Sequence, residues 1–471
     1  MEGEIGTGKK LAPTGGSMKF NLSNLGYLER ATLELGDLTI ICGKNNTGKT
    51  YVNYAIYGFM ESWKSNIDLD LEKEIETLFQ DGVLKINLAS YKQKFIDALG
   101  EVANSYSEFI PNIFGVGEDS FQETSFKVIL DEYRPDYSRA LSSTLSTLSD
   151  KEILKVIKQK ESEILEITLL VKDKSAPPKQ IVENFVNLQL AEALGSHYFS
   201  NAFIITSERT GVALFYKELD LNKKIIVEKL QNKKGSFNPS DFLEMLHDSL
   251  SRYSRPIRDE INFVRDLDDL KKKKGQLLEK HPEILSIFEE IVGGEYQLEN
   301  DSIFFEFKDG ETATKIPFHA ASSTVKSLLN MNFYLKHLAK EGDILIIDEP
   351  ELNLHPANQR KLAKLFSRLI KCGIKLLMTT HSDYLIKELN NLIVLNNNFA
   401  SKQELMDKYN YTDLDVLDKN RVKVYIAEKQ TLTPAEITDI GIEVGTFDRE
   451  IIEMNNFFDE ATVELDSAYD F

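Results

Sequence analysis

The stretch Gly43-Lys44-Asn45-Asn46-Thr47-Gly48-Lys49-Thr50 constrains this chain more than any other. It follows Asp37-Leu38-Thr39-Ile40-Ile41-Cys42, which reads as a buried strand, and precedes residues 50–63, whose apolar positions have helical spacing. A glycine-rich loop between strand and helix can turn consecutive backbone N–H groups inward, with the positive end of the helix dipole behind them. Such a cradle suits phosphate oxygens, with Lys49 reaching the terminal phosphates and the Thr50 hydroxyl set for Mg2+.

A second stretch stands far along the chain. Ile344-Leu345-Ile346-Ile347-Asp348-Glu349-Pro350 is an apolar strand that delivers two adjacent carboxylates. Asp348 suits a Mg2+ ligand, because that ion takes few carboxylates beside substrate phosphates. Glu349, pointing elsewhere, can orient or deprotonate an attacking water. Another apolar strand, Ile374–Met378, runs into Thr379-Thr380-His381-Ser382, where His381 can bond a γ-phosphate or the water. Ahead of the carboxylates, His319 to Lys326 places Ser322, Ser323 and Lys326 at the start of a helix expected over 323–340. That start is either an anion site or an ordinary serine N-cap.

The 471 residues, 42% of them hydrophobic, suffice for one large core or two smaller ones. A formal net charge of −19, from 56 basic and 75 acidic residues, disfavours DNA as the main ligand and favours a basic partner. Lys271 to Lys274 form a basic run that reads as a solvated helix face, or else as a nucleic-acid or partner contact. The two cysteines, Cys42 and Cys372, sit at apolar strand edges without metal-like spacing, which fits buried thiols and a cytoplasmic setting. No apolar run reaches the length needed to cross a bilayer, so no membrane is expected.

Five segments are expected: a leader or disordered tail over 1–17, with Met18 opening the first strand; an N-terminal part over 18–217; a Lys- and Glu-rich inserted helical subdomain over 218–292; a C-terminal part over 293–395; and an extension with an acidic tail over 396–471. Strands are expected at 125–130, 164–171, 202–206, 296–298, 303–307 and 422–426, and helices at 150–161, 357–371 and 448–461.

Together these motifs resemble the ATP-binding-cassette type of ATPase head, in the branch shared by SMC proteins and OLD-family nucleases. The resemblance covers most of residues 18–395, the middle by layout only. It implies an α/β fold: a mixed or parallel sheet with flanking helices, an N-terminal antiparallel lobe and an inserted helical subdomain. It implies that Gly43 through Thr50 is the Walker A loop, Asp348 and Glu349 the Walker B pair, and His381 the switch histidine, with ATP and Mg2+ bound. Asn353-Leu354-His355 falls at the D-loop. Ser322, Ser323 and Lys326 fall where a signature motif meets the ATP of a second subunit, which implies a homodimer or higher homo-oligomer. The usual Ser-Gly-Gly core reads Ser322-Ser323-Thr324, which argues against a transporter. Gln122 is the nearest residue to a glutamine loop. Thr206-Ser207-Glu208-Arg209 resembles a Glu-Arg element of stand-alone members.

An insertion of about 75 residues, folded as a hairpin, reaches only about 50 Å, too short for chromosome-organising arms. After residue 395 no glutamate with an Asp-x-Asp cluster follows, so a nuclease would have to be a separate protein. The layout is most similar to the AriA ATPases of PARIS anti-phage systems. That resemblance implies a sensor or scaffold holding a Toprim-type, AriB-like nuclease effector and released by a phage protein trigger. The alternatives are an SMC-like DNA-repair ATPase that clamps DNA and a nucleotide-locked scaffold without turnover.

Overall fold

The computed structural model describes residues 17–147, 150–171, 177–219, 253–299, 302–309, 312–443 and 445–469. Two compact units divide the chain, the first mainly Phe59–Glu108 with Ser125–Asn201, the second Leu22–Gly58, Phe109–Thr124 and Ala202–Phe471.

The first unit carries a four-stranded antiparallel sheet in the order Val83–Asn87, Ile164–Leu169, Glu152–Lys158, Leu141–Ser146. The helices Glu72–Asp81 and Lys179–Gly195 accompany it. Its core is aromatic: the rings of Phe59, Trp63, Phe95, Tyr106, Phe126, Tyr133 and Phe199 meet one another at tilted, edge-on and stacked angles. The helix expected over 150–161 is instead the strand Glu152–Lys158. The β-branched residues Ile153, Val156 and Ile157 favour the pleated state, and a turn in which the Ser162 N–H donates to the Gln159 carbonyl (3.2 Å) returns the chain onto Ile164–Leu169. The helix Lys179–Gly195 was not expected.

The second unit is built on a mixed sheet. Five consecutive strands run parallel, in the order Val422–Glu428, Leu38–Cys42, Lys375–Thr380, Ile344–Ile347, Ala202–Ile205. Thr431–Pro434 then adds antiparallel to Val422–Glu428, and Leu28–Glu34 lies beyond it. Parallel central strands must be covered on both faces, which is why they read as unbroken apolar runs. The helices Ser323–His337, Pro356–Lys371 and Asp383–Val394 contribute to that core through Leu328, Leu329, Phe366, Leu369, Leu385 and Leu389. A three-stranded antiparallel sheet, Gly294–Glu299, Ser302–Asp309 and Thr312–Pro317, leads into the first of these helices.

Two segments behave differently from appendages. Of the stretch expected as an insertion, 220–252 lies outside the described residues. The described remainder includes the helices Arg255–Arg265 and Glu283–Val292, whose Ile261, Val264, Ile287 and Phe288 belong to the same core as the parallel strands. The Lys271–Lys274 run is partly neutralised in place, with Lys271 paired to Asp268 and Lys272 to Asp269 at 2.7 Å. The 396–471 segment, expected as an extension, supplies the strand Val422–Glu428, which pairs in parallel with the strand entering the glycine-rich loop. Beyond it the helix Gly445–Tyr469 exposes Met454, Phe457, Phe458 and Leu465 among Glu453, Asp459, Glu460 and Glu464. Among the described residues no helix is long and apolar enough to cross a membrane.

The place of Val422–Glu428 gives a test of this architecture. A chain ending at Leu395 would leave one edge of Leu38–Cys42 unpaired and its apolar residues uncovered. It is expected to elute as aggregate in size-exclusion chromatography, whereas recovery of a folded monomer would show that the strand is dispensable.

Candidate functional site

Parallel register brings the motifs together. Cys42 lies opposite both Thr380 and Ile426, and Ile347 lies opposite both Met378 and Ile205. The strands therefore end nearly level, and the loops opening at Gly43, Thr206, Asp348 and His381 share one edge. In open α/β sheets that carboxyl edge is where ligands bind.

The glycine-rich loop has the required backbone. Gly43 (φ 151°) and Gly48 (φ 90°) occupy conformations that side chains disfavour, as does Asn46 at φ 62°. A Cβ on Gly43 would stand 2.6 Å from the Ala427 carbonyl oxygen, and one on Gly48 2.7 Å from Leu28 Cγ. Lys49 is buried and donates to the carbonyls of Gly43 (2.9 Å) and Lys44 (2.8 Å), while the Thr47 hydroxyl donates to Lys44 O (2.9 Å). Burial lowers the Lys49 pKa, against the pull of Glu349, Asp348 and Glu351. Lys44, Asn45 and Asn46 are exposed along the loop.

The carboxylate turn faces this loop. Asp348, 1% exposed, accepts from the Thr50 hydroxyl at 2.8 Å and from the Thr379 hydroxyl. Burial raises its pKa against those two hydrogen bonds. The Thr50–Asp348 separation tests the fit to Mg2+: neighbouring ligands of an octahedral Mg2+ stand about 3 Å apart, so the two oxygens match one edge of such a shell. Glu349 adopts φ 48°, rare for a residue with a side chain. Its N–H donates to Thr379 Oγ1 (3.1 Å), and its carboxylate lies 3.5 Å from His381 Nδ1. The polar contact with His381 lowers the Glu349 pKa, and the same contact raises that of His381.

Two further groups complete the edge. Glu351, fourth in Asp348-Glu349-Pro350-Glu351, is buried, and its Oε1 accepts from Thr380 Oγ1 (2.7 Å) and the His381 N–H (2.8 Å). Its Oε2 is buried without a hydrogen bond. Arg209, 2% exposed, donates to the carbonyls of Thr206, Asp348, Glu349 and Ser327. The sequence had flagged Arg209 without a role. Glu351 was missed, although a second acid two residues after the pair was its signal.

Ser322, Ser323, Lys326 and His355 stand at the starts of two helices, Ser323–His337 and Pro356–Lys371. Ser322 is an N-cap, its hydroxyl accepting from the Val325 N–H (3.3 Å), so the ordinary capping role is occupied. Ser323 is exposed and Lys326 half-buried at the same helix start. The Thr324 hydroxyl donates to the Asn353 carbonyl (2.8 Å), which joins the signature-like segment to the D-loop position. His355 is exposed and caps the helix Pro356–Lys371, its Nδ1 accepting from the Ala357 N–H at 3.2 Å. Gln122 is exposed in a turn whose Phe121 ring lies 6.0 Å from that of Tyr51, the residue after Thr50. Cys42 and Cys372 are buried free thiols, and burial pushes the first up to about 12.

The chain matches the model of a family described as AAA ATPase domain over residues 18–386. It belongs to that family. Solved structures that resemble this AAA ATPase domain chain include the SMC head domain with an extended coiled coil, bound to the C-terminal domain of ScpA, from Pyrococcus furiosus. It is 13% identical, covers 94% of this chain and 99% of its own, and has a TM-score of 0.32. The SMC head domain from Thermotoga maritima is 10% identical, covers 90% and 100%, and has a TM-score of 0.30. No protein of curated function matches.

The Glu349–His381 contact yields a titration test. The Glu349 carboxylate favours the charged imidazolium over the neutral ring, so Glu349→Gln is expected to lower the His381 pKa. Following the ring Cε1–H signals of histidine-labelled protein by NMR measures this; an unmoved His381 would mean that the two side chains do not interact in solution.

Proposed function

We propose that this AAA ATPase domain chain hydrolyses ATP with Mg2+, and that it serves as the sensor or scaffold subunit of a bacterial anti-phage defence system. The hydrolytic reading is carried by one observation: the Thr50 hydroxyl meets the Asp348 carboxylate at 2.8 Å, beside Glu349 and inside the turn that follows an apolar strand. Thr50 and Asp348 would hold Mg2+, which would supply positive charge to offset that of the phosphates. Lys49 sits on the loop carbonyls, ready to move its charge onto the terminal phosphates. Glu349, kept ionised by His381, can take or orient the proton of an attacking water, and His381 steadies it from 3.5 Å.

In this reading the site is completed by a second copy. Ser322, Ser323 and Lys326 at the start of one helix, and His355 at the start of another, are small, basic or hydrogen-bonding groups that suit the nucleotide of a partner subunit, giving a homodimer or a higher homo-oligomer. The defence role rests on the resemblance to the AriA ATPases. The effector would be a separate Toprim-type nuclease of the AriB kind, held until a phage protein trigger binds. The acidic helix Gly445–Tyr469, with Met454, Phe457 and Phe458 exposed, supports a docking face for a partner with a basic rim. The DNA-clamping alternative has less support, because the charge balance is −19 and part of the Lys271–Lys274 run is already paired to aspartates.

Two measurements separate these readings. Glu349→Gln is expected to cut phosphate release by about a hundredfold or more while nucleotide binding persists, and Lys49→Ala to abolish binding. Equal turnover in Glu349→Gln and wild type would remove Glu349 as the base. Capture of the tagged chain from its native host is expected to recover a small nuclease encoded by the adjacent gene; recovery of DNA alone, with a steep salt dependence, would favour the clamp.

A further inference from the structure

Arg209 is buried to 2% exposure, yet all four of its hydrogen bonds go to backbone carbonyls. Nη1 donates to Thr206 O (3.0 Å) and Asp348 O (2.8 Å), Nη2 to Glu349 O (2.7 Å), and Nε to Ser327 O (3.1 Å). A guanidinium offers five N–H donors in a rigid fork, so one side chain can span three elements. These are the end of the Ala202–Ile205 strand, the carboxylate turn, and the second turn of the Ser323–His337 helix. Placing an always-charged group in the interior is costly, and structural stability alone rarely requires it. Here the fork holds Glu349 at φ 48°, a backbone state that persists only where neighbours over-determine it.

A second strap runs alongside. Glu260, fully buried on the Arg255–Arg265 helix, accepts from the Thr206 hydroxyl and from the Asn330 amide. Asn330 is on the same helix as Ser327, one turn further on. The strand end and the helix are thus joined twice, once through Arg209 on backbone and once through Glu260 on side chains. Burial raises the Glu260 carboxyl to about 7, with Thr206, Arg209 and Asn330 opposing.

We propose that Arg209 is the positioning residue that locks the carboxylate turn to the Ser323–His337 helix, so that displacement of that helix displaces Glu349. This inference rests on the reading that Glu349 acts in hydrolysis and that the helix start meets a second copy's nucleotide. It adds the coupling between them: seating of Ser322, Ser323 and Lys326 on a partner's nucleotide is transmitted through Ser327 O and Arg209 to the Glu349 turn. Arg209 makes no hydrogen bond to the glycine-rich loop or to Lys49, so its replacement acts first on the carboxylate turn and the helix rather than on the loop.

The test compares wild type, Arg209→Lys and Asn330→Ala. Arg209→Lys keeps the charge and loses the fork; Asn330→Ala loosens only the Glu260 strap and serves if the first variant does not fold. Expected for Arg209→Lys is a kcat for ATP lowered about ten- to a hundredfold with KM within about twofold. Asn330→Ala should move in the same direction by less. Hydrogen–deuterium exchange should rise in both 323–330 and 346–354 and stay unchanged in 43–60. Faster exchange confined to one of the two segments, or a raised KM with kcat kept, overturns the coupling. If wild type shows no turnover, the hydrolytic reading fails on its own, and the paired exchange of the two segments still decides whether Arg209 joins them.

Discussion

Level termination of parallel strands is the constraint on which the site depends. Backbone pairing fixes Cys42 opposite Thr380 and Ile426, and Ile347 opposite Met378 and Ile205. Because a shift of one residue would turn every side chain to the other face, that register is held by the buried apolar residues on both faces. The polar residues that follow each strand then have no freedom to disperse. Gly43, Thr206, Asp348 and His381 arrive at one edge from four distant parts of the chain.

Beneath that edge lies a buried polar layer in which nearly every group has a partner. Thr379 serves both Asp348 and the Glu349 N–H, Thr380 serves Glu351, and Arg209 and Glu260 tie the layer to the Ser323–His337 helix. Networks of this kind are rigid when satisfied and expensive when broken. The unpaired Glu351 Oε2, the strained φ of Glu349 and the raised Asp348 carboxyl are concentrated here. A folded core gains nothing from these three features, but a site that must change its charge partners during a reaction can use them.

The motif residues were legible because each needs a residue type that the local chain already displays. Gly43 and Gly48 are required by a positive φ and by close approach to Ala427 and Leu28, and Asp348 is announced by the four apolar residues before it. Glu152–Lys158 fits a helix or a strand in the sequence because a short apolar run lacks a decisive period, and pairing with Ile164–Leu169 and Leu141–Ser146 decides its state. Ser322 shows the opposite limit: as a helix-start serine it is equally a cap and an anion ligand, and its hydroxyl is in fact engaged with the Val325 N–H.

The sequence by itself determined the glycine-rich loop between strand and helix, the carboxylate pair, the histidine behind a strand and the α/β class, since these follow from local spacing and apolar runs. Only the tertiary structure decided what surrounds them. Val422–Glu428, expected as a strand over 422–426, took its place beside Leu38–Cys42, the strand entering the glycine-rich loop, because that strand needs a partner on each edge. The helices Arg255–Arg265 and Glu283–Val292 joined the central core because their apolar faces have that core to bury against. Arg209 found its role through carbonyls of residues more than a hundred positions away, and backbone oxygens leave no trace in a residue pattern.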